Sequence, residues 1–139
     1  MACLDPDSIP RVAVESMNTV HLEEFEMLNA LDDLLEATDG SDASYAAIDA
    51  AFDQFHQHAK DHFAAEEELM VERGFPAYPI HRKEHEAELL VIRRAIEAWQ
   101  ESRDAAGLRT WIAKDFAAWI ANHVVTMDTV TAEFVVSRR

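Results

Sequence analysis

The sequence predicts an all-α fold, an antiparallel up-down-up-down four-helix bundle preceded by an N-terminal arm. Three observations carry that expectation. Apolar residues make up 49% of 139 residues, enough for one core in one domain. Only 3 Gly and 4 Pro are present, so the chain has few places to turn. Four segments space their apolar residues at gaps of three and four, which is the inward stripe of a bundle helix.

The arm is expected over residues 1–12, because Pro6 and Pro10 bar a regular helix there, and the bundle over 13–137. Cys3, the one cysteine, excludes an internal disulfide and reads as an inert thiol in a loose tail. The first stripe is Val14, Met17, His21, Glu24, Leu28, Leu31 and Leu35. Gly40 then stops the pattern, with Ser41 or Asp42 as the next N-cap. The second stripe, between about Ser44 and Arg73, is Tyr45, Ile48, Phe52, Phe55, Ala59, His62, Glu66 and Leu69. GFPAYP (74–79) ends it, with Gly74 as C-cap and two prolines behind it. The third stripe is His81, His85, Leu89, Ile92, Ile96 and Trp99, followed by a turn around SRDAAG (102–107). The fourth is Leu108, Ile112, Phe116, Trp119, His123, Met127, Val130 and Phe134, with Asp128 at its edge. Trp99 and Trp111 read as core.

The net charge of −15 should repel nucleic acid and anionic membrane surfaces. No apolar run approaches the roughly 20 residues of a membrane helix. The N-terminal MACLDPDSIP has acids where a signal peptide needs basic residues. A cytoplasmic monomer is therefore expected.

The inward stripes carry too many ionisable groups for a plain core. Each holds at least one histidine, and burying such groups uncompensated costs several kcal/mol apiece. A shared metal is the economical explanation. His62 and Glu66 are four apart, as are His81 and His85, so each pair shares a helix face. His123 and Asp128 are five apart, a rotation of about 140° on an α-helix. That is too wide for two terminal ligands on one small ion, but suits a short carboxylate reaching across to bridge. Alternating helix directions bring His21, His62, His81 and His123 to one level. In EEE (66–68), Glu66 shares the inward face with His62, whereas Glu67 and Glu68 read as solvated charge.

These motifs, His21 with Asn29, HFAAEEELM (62–70), HRKEH (81–85) and WIANHVVTMD (119–128), resemble the hemerythrin family of non-haem di-iron oxygen binders, over about Val14 to Phe134. The resemblance implies one iron on His81, His85 and His123 and a second on His21 and His62. It implies that Glu66, Asp128 and an oxo or hydroxo group bridge the two. The second iron then keeps one open position for dioxygen. Structural zinc, usually four-coordinate, would not need seven ligands. The resemblance also places Trp119 and Ile120 over an oxygen pocket, with Phe63 as a further lining residue. Plain core packing is the alternative for each.

Three positions depart from the family pattern. Glu24 stands where an apolar residue is usual over the oxygen site. It would ligate iron, donate a proton or admit water there, or else Phe25 takes the inward place and Glu24 leans toward solvent. His58 replaces a frequent tyrosine, as a partner behind the ligands or as a bundle-edge histidine. His56 faces away from the ligand side. MNTVH (17–21) places Asn18 and Val20 where an acid and a glutamine often stand, which leaves the surroundings of His21 undefined.

The leading functional expectation is reversible dioxygen binding for storage, delivery or sensing, without catalysis. The alternatives are a di-iron peroxidase or an enzyme removing nitric oxide or peroxide, motivated by Glu24, and a sensor acting through a separate partner protein.

Overall fold

The structure is a computed structural model and describes residues 3–137, so Met1 and Ala2 of the expected arm lie outside the described residues. Four long helical runs build it: α1 (Glu15–Ala37), α2 (Asp42–Arg73), α3 (Tyr78–Ser102) and a fourth, α4, over 105–137. No strand occurs among the described residues. α1 packs on α2 and α2 on α3, while α4 meets α1 and α3 near its start and α2 near its end. The fold is the all-α bundle that the four stripes predict.

The turns follow local chemistry. Ser41 caps α2, its Oγ accepting from the Ser44 N–H at 3.1 Å. Gly74 ends α2 at φ 68°, ψ 38°, a left-handed conformation that glycine adopts without steric cost. There the Gly74 N–H reaches Val71 O and the Phe75 N–H reaches Met70 O, a Schellman closure. Pro79 lies in the first turn of α3, where its missing N–H costs nothing. The α3–α4 turn is tighter than the segment 102–107 suggests. Arg103 adopts φ 53° and its guanidinium is held by Asp49 at 2.6 and 3.2 Å. Asp104 caps α4 by accepting from the Gly107 N–H, so Gly107 lies inside the first turn of that helix.

The arm is docked rather than loose. Leu4 is buried in the core, and its backbone N–H and C=O both bond the Asn29 side chain, at 2.7 and 2.9 Å. Asn18 clamps Val12 in the same two-ended way, at 2.8 and 3.0 Å. Pro6–Ser8 makes one short 3-10 turn. Cys3 is half-buried against the core, and burial, with Asp32 nearby, pushes its thiol pKa up, which fits an inert thiol.

α1 buries the expected Met17, His21, Glu24, Leu28, Leu31 and Leu35, together with Phe25. α4 departs from its expected stripe. The expected Leu108, Ile112, Phe116 and His123 are buried, but so are Ile120, Val124, Asp128, Thr131, Ala132 and Val135, with a run of fours from Leu108 to Ala132 among them, while Val130 is exposed and Trp119, Met127 and Phe134 are half-buried. On a regular α-helix each step of four drifts by about 40°, and the stripe would walk around the axis. Two π-helical segments, Trp111–Phe116 and Val124–Asp128, take up the extra residues and keep the stripe on one side. In α2 Met70 is buried rather than Leu69, and in α3 Glu88 rather than Leu89.

Candidate metal centre

The bundle gathers His21 from α1, His62 and Glu66 from α2, His81 and His85 from α3, and His123 and Asp128 from α4 into one buried cluster. Two ligand-like groups result, Glu66–His81–His85–His123–Asp128 and His21–His62–Glu66, the donor atoms within each lying inside 4.8 Å of one another. All five imidazoles turn Nε2 inward. His85 Nε2 lies 3.1 Å and His81 Nε2 3.6 Å from Glu66 Oε1, while His62 Nε2 lies 2.6 Å from Glu66 Oε2. Asp128 divides its oxygens similarly. Oδ1 faces His81 and His123, each at 3.2 Å, and Oδ2 faces His21 at 3.1 Å. Each carboxylate therefore offers one oxygen to each group.

The π segment corrects the expectation drawn from α-helical geometry for His123 and Asp128. The Thr129 N–H bonds Val124 O, five residues back, and the Thr129 hydroxyl donates to the same oxygen at 2.8 Å. With i→i+5 bonding, residues five apart come into register, so Asp128 needs no long reach to meet His123.

The outer nitrogens are held separately. His62 Nδ1 donates to Glu24 Oε1 at 2.5 Å, His85 Nδ1 to Glu67 Oε2 at 3.0 Å, His123 Nδ1 to Glu84 Oε1 at 2.7 Å, and His81 Nδ1 to Thr131 Oγ1 at 2.8 Å. Such bonds fix the proton on Nδ1 and leave the Nε2 lone pair facing inward, the arrangement typical of metal-binding histidines. His21 Nδ1 makes no hydrogen bond among the described residues.

The cluster fits a metal on its own chemistry. Glu66 Oε1, His85 Nε2 and Asp128 Oδ1 are buried and make no hydrogen bond among the described residues. Burial would raise the Asp128 pKa, yet His123, His21 and His81 hold it well below the ordinary carboxylate range. Burial would lower the His62 pKa, yet Glu24 and Glu66 hold it well above the usual histidine value, so a metal bound here would take the place of the proton on Nε2. Two ionised carboxylates buried among imidazoles call for compensating positive charge, and mixed imidazole and carboxylate donors suit a transition metal.

A sequence model described as the hemerythrin HHE cation binding domain matches residues 12–135. The chain belongs to the hemerythrin family. It is 32% identical over 128 residues to a bacteriohemerythrin of Aquifex aeolicus (strain VF5), covering 92% of this chain and 94% of that protein. It is also 32% identical over 98 residues to one from Ralstonia nicotianae (strain ATCC BAA-1114 / GMI1000), covering 70% of each chain. A third, from Stenotrophomonas maltophilia (strain R551-3), is 29% identical over 128 residues, covering 89% of this chain and 76% of that one. No solved structure matches the chain.

Within this hemerythrin fold, aromatic rings cover the three-histidine group. Phe63 stacks on His85, with centroids 4.0 Å apart and planes 4° from parallel, and lies 5.0 Å from His62. Trp119 stacks on His123 at 4.5 Å and 13°, and Ile120 is buried one residue further on. Glu24 and Phe25 are both buried, so neither displaces the other. Glu24 lies at the outer nitrogen of His62, on the opposite edge of that ring from Glu66. Burial would raise its pKa, but His62 and His58 bring it down to about 2. His58, half-buried, faces Glu23 at 3.0 Å and Glu24 at 3.5 Å, and His56 stands apart from both ligand-like groups.

Glu67 is not the bystander that its place in a glutamate run suggests, since it holds His85. Glu84 and Thr131 escaped the sequence reading altogether. Substituting Glu67 with alanine should weaken metal retention roughly tenfold or more, the usual cost of an outer partner. The exposed Glu68, changed in the same way, should leave it unaltered. Competition with a chelator separates the two.

Glu88 is the other buried acid that the stripes missed. Burial, opposed by His123 and reinforced by Glu84, pushes its carboxyl up to about 7. A carboxyl that titrates higher in the folded than in the unfolded chain favours folding at low pH. It costs stability as pH rises from the ordinary carboxylate range toward 7. In the metal-free protein, Glu88→Gln should raise Tm above pH 7. The difference should shrink to nothing below about pH 4.5, where both chains carry a neutral group.

Proposed function

We propose that this chain binds dioxygen reversibly at a non-haem di-iron centre, for storage, delivery or sensing, and is not primarily an enzyme. The observation that supports it most is the division of Glu66 and Asp128, each with one oxygen toward either group. His81, His85 and His123 would hold one iron, and His21 and His62 the other, with the two carboxylates and an oxo or hydroxo group between them. The side with two histidines has one ligand fewer, which leaves room for a small molecule.

Iron, when bound, supplies the reversible change of oxidation state that taking up and releasing dioxygen requires. The chain does the rest. Glu24, Glu67, Glu84 and Thr131 keep the Nδ1 protons in place and the Nε2 lone pairs inward. Phe63, Trp119 and Ile120 exclude water from the three-histidine side. The enzymatic alternative needs a carboxylate beside the open position. Glu24 instead bonds the far edge of the His62 ring, where it orients the histidine. No helix among the described residues is long and apolar enough to cross a membrane. A cytoplasmic monomer that exchanges dioxygen, or a signal, with a separate protein is part of the same proposal.

The test is optical. The iron-loaded ferrous protein should gain a visible absorption band under oxygen and lose it when oxygen is removed, over repeated cycles. A permanent change after one exposure would favour an oxidase-like or peroxidase-like enzyme instead.

A further inference from the structure

Exposure is not evenly distributed over the candidate ligands. His21, His81, His85, His123 and Asp128 are 0% exposed, whereas His62 and Glu66 keep 5% and 4%. A pocket of about 110 Å³ reaches the same two residues. It lies between the first turns of α1 and the last turns of α2, with walls of Met17, Val20 and Leu69 and a rim of Ser16 and Ala65. The pocket accounts for that residual exposure and puts the approach to the site on one side of the bundle. The other side is closed by the stacked pairs Phe63–His85 and Trp119–His123.

We infer that this α1–α2 pocket is the route by which a small uncharged ligand reaches the centre, with Val20 and Leu69 as the facing residues that set its rate. The inference rests on the proposed function for the identity of the ligand, but the pocket itself does not depend on it. The chemistry selects a neutral diatomic. Apolar walls of Met17, Val20 and Leu69 penalise the passage of an unpaired charge. The volume accommodates a diatomic without rearrangement, since a single water needs only about 30 Å³ of liquid volume. The pocket also meets the His62 side of the cluster, which has one ligand fewer. Met17 is 4% exposed and packs as a fixed wall, while Val20 and Leu69 are half-buried and border the opening.

Val20→Trp should fill the pocket from α1, and Leu69→Trp should fill it from α2. Either variant, loaded with ferrous iron, should combine with dioxygen on the order of tenfold more slowly, because the ligand must wait for a side chain to move. Iron per chain and the final spectrum should match the parent protein. A second readout needs no iron. Xenon under pressure should occupy the pocket in crystals of the metal-free parent and be lost from either variant. Xenon absent from the parent pocket, or association rates unchanged in both variants, would overturn the inference. If only one variant folds, that variant carries the test. If the parent itself fails to respond to oxygen, the proposed function falls. Xenon occupancy and the association rate of nitric oxide, an equally small neutral probe, then still decide the pocket.

Discussion

Replacing Glu66 with alanine should empty both metal positions, not one. Glu66 is the residue that the two ligand-like groups share, with Oε1 3.1 Å from His85 Nε2 and Oε2 2.6 Å from His62 Nε2. Its loss removes a ligand from each side at once, along with one of the two buried negative charges that balance the cations. Iron retained after dialysis should fall by more than about tenfold, a larger loss than for any single histidine. Helix content should survive, because α2 gains a better helix former at that position. Calorimetry of the metal-free variant separates lost binding from lost folding. A variant that still held a full iron complement would mean that Asp128 and the histidines suffice, and that Glu66 is no bridge.

Glu24→Leu should have the next largest effect, and an asymmetric one. The variant restores the apolar character usual at this position, but leaves His62 Nδ1 buried without its acceptor. The cost of losing such a partner is about 10- to 100-fold in metal affinity. It should fall on the His21–His62 side alone, since the three-histidine side relies on Glu67, Glu84 and Thr131. At limiting iron the variant should therefore fill one position and leave the other largely empty. Glu24→Gln, whose amide oxygen can still accept from Nδ1, should recover most of the loss. If Glu24→Leu instead bound iron normally and changed only the stability of the oxygenated form, Glu24 would act on the ligand and not on the histidine.

The sequence was most informative where helices are regular. In α1 every buried stripe position from Met17 to Leu35 follows from gaps of three and four. The ligand histidines and Glu66 stand out because they interrupt apolar stripes, with Asp128 at the edge of one. What hid was of two kinds. α4 conceals its inner face because its π segments break the 3.6-residue period, although the run of fours from Leu108 to Ala132 carries that signal. The partners of the outer nitrogens were hidden for another reason. Glu67 and Glu84 are half-exposed acids in charged runs, alike in sequence to the solvated Glu68, and only the docking of one helix on another selects them. The Leu4–Asn29 clamp spans 25 residues and leaves no local trace. Glu24 was legible as an anomaly, but its role depends on which edge of the His62 ring it meets.

Gas uptake by the fully ferrous protein, measured against its iron content, decides whether a pair of irons sharing carboxylates reversibly binds one dioxygen. One dioxygen should be taken up for every two irons and the same amount recovered when the gas phase is replaced by argon. Uptake of one dioxygen per iron, or uptake that is not returned, would contradict it.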